Sequence, residues 1–149
     1  MMSAFEMSDE EFVRAFESCE LSPDAFHHRD HIRLAAIYVS RHGAAEATER
    51  FRTSLRRFAA HIGKSDKYHE TITIAWIQLV AHAMTTKPGT APGDFPELLD
   101  KNYIGKFYSP GLLATESART DFVEPDRTPL PVIGLPPTKT GADRTRVVK

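Results

Sequence analysis

An all-α domain is what this sequence predicts, and three observations carry the prediction. Apolar residues recur at helical spacing in several separate stretches. Those stretches open or close on helix-cap chemistry, and none alternates with the two-residue period of a half-buried strand. A length of 149 residues suits one domain, and 41% hydrophobic with 26% charged residues is a globular composition.

Ser8 to Glu11 reads as a helix start, with Ser8 as N-cap and Glu11 placed for a capping box. Phe12, Ala15 and Phe16 then give the apolar spacing of a first helix ending near Leu21. Ser22, Pro23 and Asp24 restart the chain with a cap, a proline for the first helical position and an acid for the positive helix end. A second helix runs from Phe26 to Arg41, and Gly43 supplies a left-handed cap. The third, Ala44 to Ile62, carries the stripe Ala47, Phe51, Leu55, Phe58, Ile62 with arginines mostly opposite, and Gly63 closes it. The fourth extends from Tyr68 to about Thr85 and is apolar nearly all round, with a thin polar strip at Thr71, Gln78 and His82, so it is expected at the centre.

Lys87 to Gly93, with two prolines and two glycines, reads as a loop. Short helices are expected from Asp94 through Leu99, at Ser109-Pro110 and over Thr115 to Arg119. Five prolines between Pro125 and Lys149 make that stretch an extended strap or a disordered tail. The predicted architecture is a single-domain bundle of four main helices with short C-terminal helices, residues 1–124, and a Pro-rich tail, residues 125–149.

Lys plus Arg is 19 and Asp plus Glu is 20, a balance that argues against a dedicated nucleic-acid binder. With Cys19 as the single cysteine, no internal disulfide and no thiolate zinc site can form, and Cys19 reads as a packing residue. Met1 to Met7 lacks the pattern of a signal peptide, and no apolar stretch is long enough for a bilayer. A cytoplasmic protein, without membrane or nucleic-acid partners, is the expectation.

The informative residues are histidines. In Phe26-His27-His28-Arg29-Asp30-His31-Ile32-Arg33-Leu34-Ala35, His28 and His31 are three apart and His27 and His31 four apart, so either pair shares a helix face. In Lys67-Tyr68-His69-Glu70-Thr71-Ile72-Thr73, His69 heads the apolar stripe through Ile72, Trp76 and Val80. Antiparallel helices joined by short connections bring the start of the fourth helix back to the level of the start of the second. His28, His31 and His69 should therefore meet at one end of the domain.

Three neutral imidazoles suit a borderline divalent metal with one coordination position left for water or substrate. On this reading His28, His31 and His69 are ligands, with His27 able to replace or supplement one of them. Glu70 is the candidate base, Tyr68 the candidate substrate contact, and Asp30 holds a ring nitrogen. Zinc is the default ion, with iron, nickel or copper open, and the reaction is metal-assisted hydrolysis, hydration, elimination or isomerisation of a small polar molecule. This makes the chain a metal-dependent hydrolase or lyase. Thr73 stands where a zinc-protease helix needs its second histidine, so protease activity does not follow.

Two other readings use the same residues. In one, helix N-termini together with Arg29, Lys64 and Lys67 make a metal-free pocket for an anion, with neutral histidines as acids or bases. In the other, the histidines form a structural network with Asp30 and Glu70, and the chain is an interaction module that takes a partner or a second copy of itself. The cluster Tyr103, Lys106, Phe107 and Tyr108 reads as a packing patch, and the arginine face of the third helix as solvated and paired with Glu46 and Glu49. The two histidine motifs, followed by Tyr108-Ser109-Pro110, resemble a family of short, functionally uncharacterised bacterial helical proteins over residues 22–131. That resemblance implies a shared helical fold and a shared site, and names no substrate.

Overall fold

Ser8 caps α1 (Asp9–Glu17): its hydroxyl accepts the Glu11 N–H at 3.1 Å while the Glu11 carboxylate accepts the Ser8 N–H at 2.9 Å. The computed structural model describes residues 7–87, 89 and 94–131, and among these every regular element is helical. The first helix ends at Glu17, short of Leu21, because the next residues form a C-terminal cap. Cys19 donates to the Phe16 carbonyl at 3.0 Å and Glu20 to the Ala15 carbonyl at 2.8 Å, with Cys19 itself at φ 64°.

The cap chemistry of Ser22 is present but serves a separate turn. Its hydroxyl accepts the Asp24 N–H of a 3₁₀ turn over Pro23–Ala25, and the chain then re-enters helix at His28. There the Asp30 carboxylate reaches back to accept the His27 N–H at 2.8 Å, the role usual for a glutamate at the third helical position. The next helix, α2 (His28–His61), is interrupted at Gly43, whose φ of 79° and ψ of 162° lie outside the left-handed helical region expected for it. They fall in a mirror-image extended region that is essentially restricted to glycine. One residue thus reverses the chain between two limbs, residues 28–42 and 44–61. Tyr38 meets Phe51 and Ser54 near the reversal, and Phe26 meets Phe58 at the open end.

Gly63 closes α2 by the expected device. Gly63 donates to the Ala60 carbonyl and Lys64 to the Ala59 carbonyl, with Gly63 at φ 74°. After a 3₁₀ turn over Ser65–Lys67, α3 (Glu70–Thr86) begins two residues later than expected, with His69 as its N-cap. Its first turn meets the middle of the second limb, where Glu70 binds Arg52 and Arg56, and Trp76 reaches His28 on the first limb. Ala75, Trp76, Ile77, Leu79, Val80 and Ala83 are all buried, as its apolar circumference requires. Thr71, expected on a polar strip, is fully buried and satisfied by a later part of the chain.

Two 3₁₀ turns follow, Pro96–Leu99 and Lys101–Lys106. Then come α4 (Pro110–Leu113), capped by Ser109, and α5 (Glu116–Thr120), capped by Thr115. Residues 121–131 form an extended strap. The Thr71 hydroxyl donates to the Asp121 carbonyl and accepts the Val123 N–H, the Tyr108 hydroxyl donates to the Val123 carbonyl, and Arg127 N–H binds the Phe107 carbonyl. Of the stretch expected as an extended strap or a disordered tail, 125–131 belong to this extended segment; 132–149, and most of the expected loop after Lys87, lie outside the described residues. Among the described residues no helix is long and apolar enough to cross a membrane.

Candidate functional site

His31 and His69 face one cavity of about 390 Å³ between the start of α2, its second limb and the start of α3. The apolar stripe of the second limb supplies Phe51, Leu55, Phe58 and Ile62, and helical spacing from His69 supplies Ile72 and Trp76. Phe26, just before α2, covers the open end of the limbs. Tyr68 and Thr73 add polar edges, and Lys64 and Lys67 come from the connection between α2 and α3. No aspartate or glutamate is among the described residues that line the cavity.

The seven residues expected to carry chemistry occupy different environments. His69 uses both ring nitrogens within the fold. Its Nδ1 accepts the Ile72 N–H at 3.1 Å, so its proton sits on Nε2, which donates to the Leu113 carbonyl at 2.8 Å. His28 is not among the residues that line the cavity. A carbonyl can only accept, so the 2.9 Å contact with Leu98 fixes a proton on His28 Nε2, and the ring stands edge-on to Trp76 at 4.6 Å. His27 is largely exposed, with Nδ1 3.6 Å from Asp30 Oδ2. Asp30 is buried, and what it binds at hydrogen-bond distance is the His27 amide rather than an imidazole.

Glu70 is also buried, at 5% exposure. Its Oε2 accepts from Arg52 Nε at 2.7 Å, its Oε1 accepts from the Tyr68 hydroxyl at 2.7 Å, and Arg56 approaches to 3.5 Å. Burial alone would raise its carboxyl, but the hydrogen bonds from Arg52 and Tyr68 and the two guanidinium charges hold it below the ordinary value. It is an ionised, fully occupied carboxylate, which leaves little capacity to take a substrate proton. Tyr68 lines the cavity with its ring while its hydroxyl serves Glu70; burial and that hydrogen bond push the phenol up to about 12.

His31 differs from all of these. Its ring stacks on Phe26 at 4.1 Å, and among the described residues no hydrogen bond reaches either nitrogen. Burial, with His28 beside it, lowers its imidazole to about 4, so the ring is neutral at ordinary pH. A neutral imidazole keeps one donor and one acceptor, and among the described residues neither has a hydrogen-bond partner.

Among the described residues no group of three or more His, Cys, Asp or Glu side chains is placed to hold a metal ion. The helix starts do converge, since His31 and His69 share a cavity and Trp76 touches both that cavity and His28. What sequence reasoning missed is the partners of the rings. The carbonyls of Leu98 and Leu113 lie 70 and 44 residues from the histidines they bind, and backbone carbonyls carry no residue-type signal. Arg29, expected beside the pocket, is not among its lining residues. No protein-family model matches the chain, and no match was found among curated proteins or solved structures.

Proposed function

We propose that this chain binds a small organic molecule in the cavity beside His31, with the neutral His31 imidazole as the polar group that reads it and without a resident metal. One observation supports this above the others: an inward-facing imidazole with no internal hydrogen-bond partner opens onto an apolar cavity. Buried polar groups are normally satisfied within the fold, and the other inward histidines follow that rule. A volume of about 390 Å³ lies toward the small end of ligand pockets, which run from about 300 to 1,000 Å³. It suits a small molecule rather than a peptide.

This reading favours the metal-free alternative over the metal-dependent hydrolase or lyase. For His28, His31 and His69 to act as three ligands, His69 would have to release a helix cap or a carbonyl bond, and His28 would have to turn away from Leu98. The low proton affinity of His31 supports a holding role, with acid/base work only where a ligand's own charge raises it.

Ligand-observed NMR with a small-fragment set tests the proposal on the wild type and on Ile72→Trp, which fills the cavity. Fragments that bind the wild type should be lost in the variant, with folding intact by circular dichroism. The same fragments binding both proteins equally would overturn the proposal. So would stoichiometric zinc binding abolished by His28→Ala, His31→Ala and His69→Ala singly, and that result would restore the metal-dependent enzyme.

A further inference from the structure

We infer that the occupant is an amphipathic organic anion, whose apolar body fills the cavity beside Phe58 and Trp76 and whose carboxylate is held by Lys64 and Lys67. The inference rests on the reading of the cavity as a ligand site and adds the chemistry of the ligand.

Charge placement carries it. The arginines near the site are already paired: Arg50 with Glu46, Arg52 with Glu49 and Glu70, and Arg56 with Glu70. Lys64 and Lys67 line the cavity and have no ion pair among the described residues. The carboxylate closest in sequence to the histidine cap, Glu70, is turned to the arginines of the second limb instead of the cavity. Two exposed lysines therefore line an apolar space with no acid among its described lining residues; Asp66, exposed in the turn between them, is outside that lining. A cleft whose charged lining has one sign raises the local concentration of an anion.

Shape narrows the anion. Inorganic phosphate or sulfate would leave the aromatic and aliphatic walls uncovered, and their desolvation is the main source of binding free energy in such a space. A wholly apolar ligand would leave the lysines unused and His31 without a partner. An organic acid with an aromatic or short aliphatic body answers all three: apolar burial, ammonium–carboxylate contact, and a polar atom within reach of the imidazole.

The experiment is isothermal titration with phenylacetate, hexanoate, 2-phenylethanol and inorganic phosphate, on the full chain, its Lys64→Gln/Lys67→Gln variant and Ile72→Trp. At low salt phenylacetate or hexanoate should bind about tenfold more tightly than 2-phenylethanol, and the lysine variant should remove that advantage. Raising the salt should weaken the acids and leave the alcohol unchanged. Phenylacetate against hexanoate tells an aromatic body from an aliphatic one. Phosphate binding as tightly as the acids would overturn the amphipathic requirement. Equal binding of acid and alcohol, unaffected by the lysine substitutions but lost in Ile72→Trp, would overturn the charge inference and leave the cavity reading standing. Binding that survives Ile72→Trp, or none at all, would overturn both.

Discussion

His31 and Glu70 are both titratable and both inward; acid charges the one and neutralises the other, and both changes cost stability. The folded protein holds His31 at about 4, whereas an unfolded histidine titrates near 6.5. Between those values the unfolded chain binds more protons, so stability should fall as pH drops from about 6.5 toward about 4. The charged and titratable groups around the ring, His28 on its own limb with Lys64, Lys67, Tyr68 and His69 across the cavity, add no carboxylate to rescue the imidazolium. For Glu70 the folded value is depressed, so its contribution is present above the unfolded value of about 4.3 and is lost as pH falls through the folded one. Urea unfolding across pH separates the two. His31→Phe should flatten the slope between about pH 6.5 and 4, and Glu70→Gln should flatten the slope below it. At neutral pH Glu70→Gln should also cost about 1–3 kcal/mol, because Arg52 and Tyr68 lose a charged partner. Sequence marked both residues but not their roles. Glu70 looked like a base because it adjoins His69, and the arginines that neutralise it lie 14 and 18 residues upstream.

Caps and breaks were the most legible features among the elements, because cap chemistry is local. Ser8 and Gly63 serve as sequence alone suggests, and the short helices expected at Ser109-Pro110 and over Thr115 to Arg119 take Ser109 and Thr115 as their N-caps. Two positions departed from local rules for identifiable reasons. Ser22 caps a 3₁₀ turn, and α2 begins instead at the N-cap His27, whose N–H the Asp30 carboxylate accepts. Cys19 holds the left-handed cap position that glycine usually takes. Cys19→Val should therefore destabilise by more than about 1 kcal/mol in thermal unfolding, since a β-branched residue tolerates positive φ poorly. At Gly43 an added Cβ would meet no atom within 4 Å, so any cost there is conformational rather than steric. Gly43→Ala should cost about 1–3 kcal/mol in the same assay. Gly43→Asn should give no relief, because asparagine eases the left-handed helical region and not a ψ of 162°.

At the level of the whole molecule, the order of the helices was readable from apolar spacing, and their long-range fastening was not. The stripe of the second limb predicted a face, and the structure divides it between core and cavity wall. Nothing in the sequence near Thr71 or Tyr108 indicates that their hydroxyls are satisfied by the backbone of Asp121 and Val123. Both side chains are fully buried, so the strap is what makes their burial tolerable. Thr71→Val should cost about 1–3 kcal/mol. It should also speed hydrogen exchange at the Val123 amide far more than at amides of α3, a contrast that a general loss of stability would not produce.

The reversal at Gly43 has a consequence for association between molecules. Straightened at that one residue, the 34 residues of α2 would form a single rod about 50 Å long. The faces that now meet across it, Tyr38 with Phe51 and Ser54, would then find their counterparts only in another chain. A straightened α2 would let whole limbs exchange between copies, and the turn at Gly43 favours the closed hairpin. Concentrated Gly43→Ala protein should show a dimer on size exclusion that dissociates only as slowly as the chains unfold, with the same helical content as the monomer.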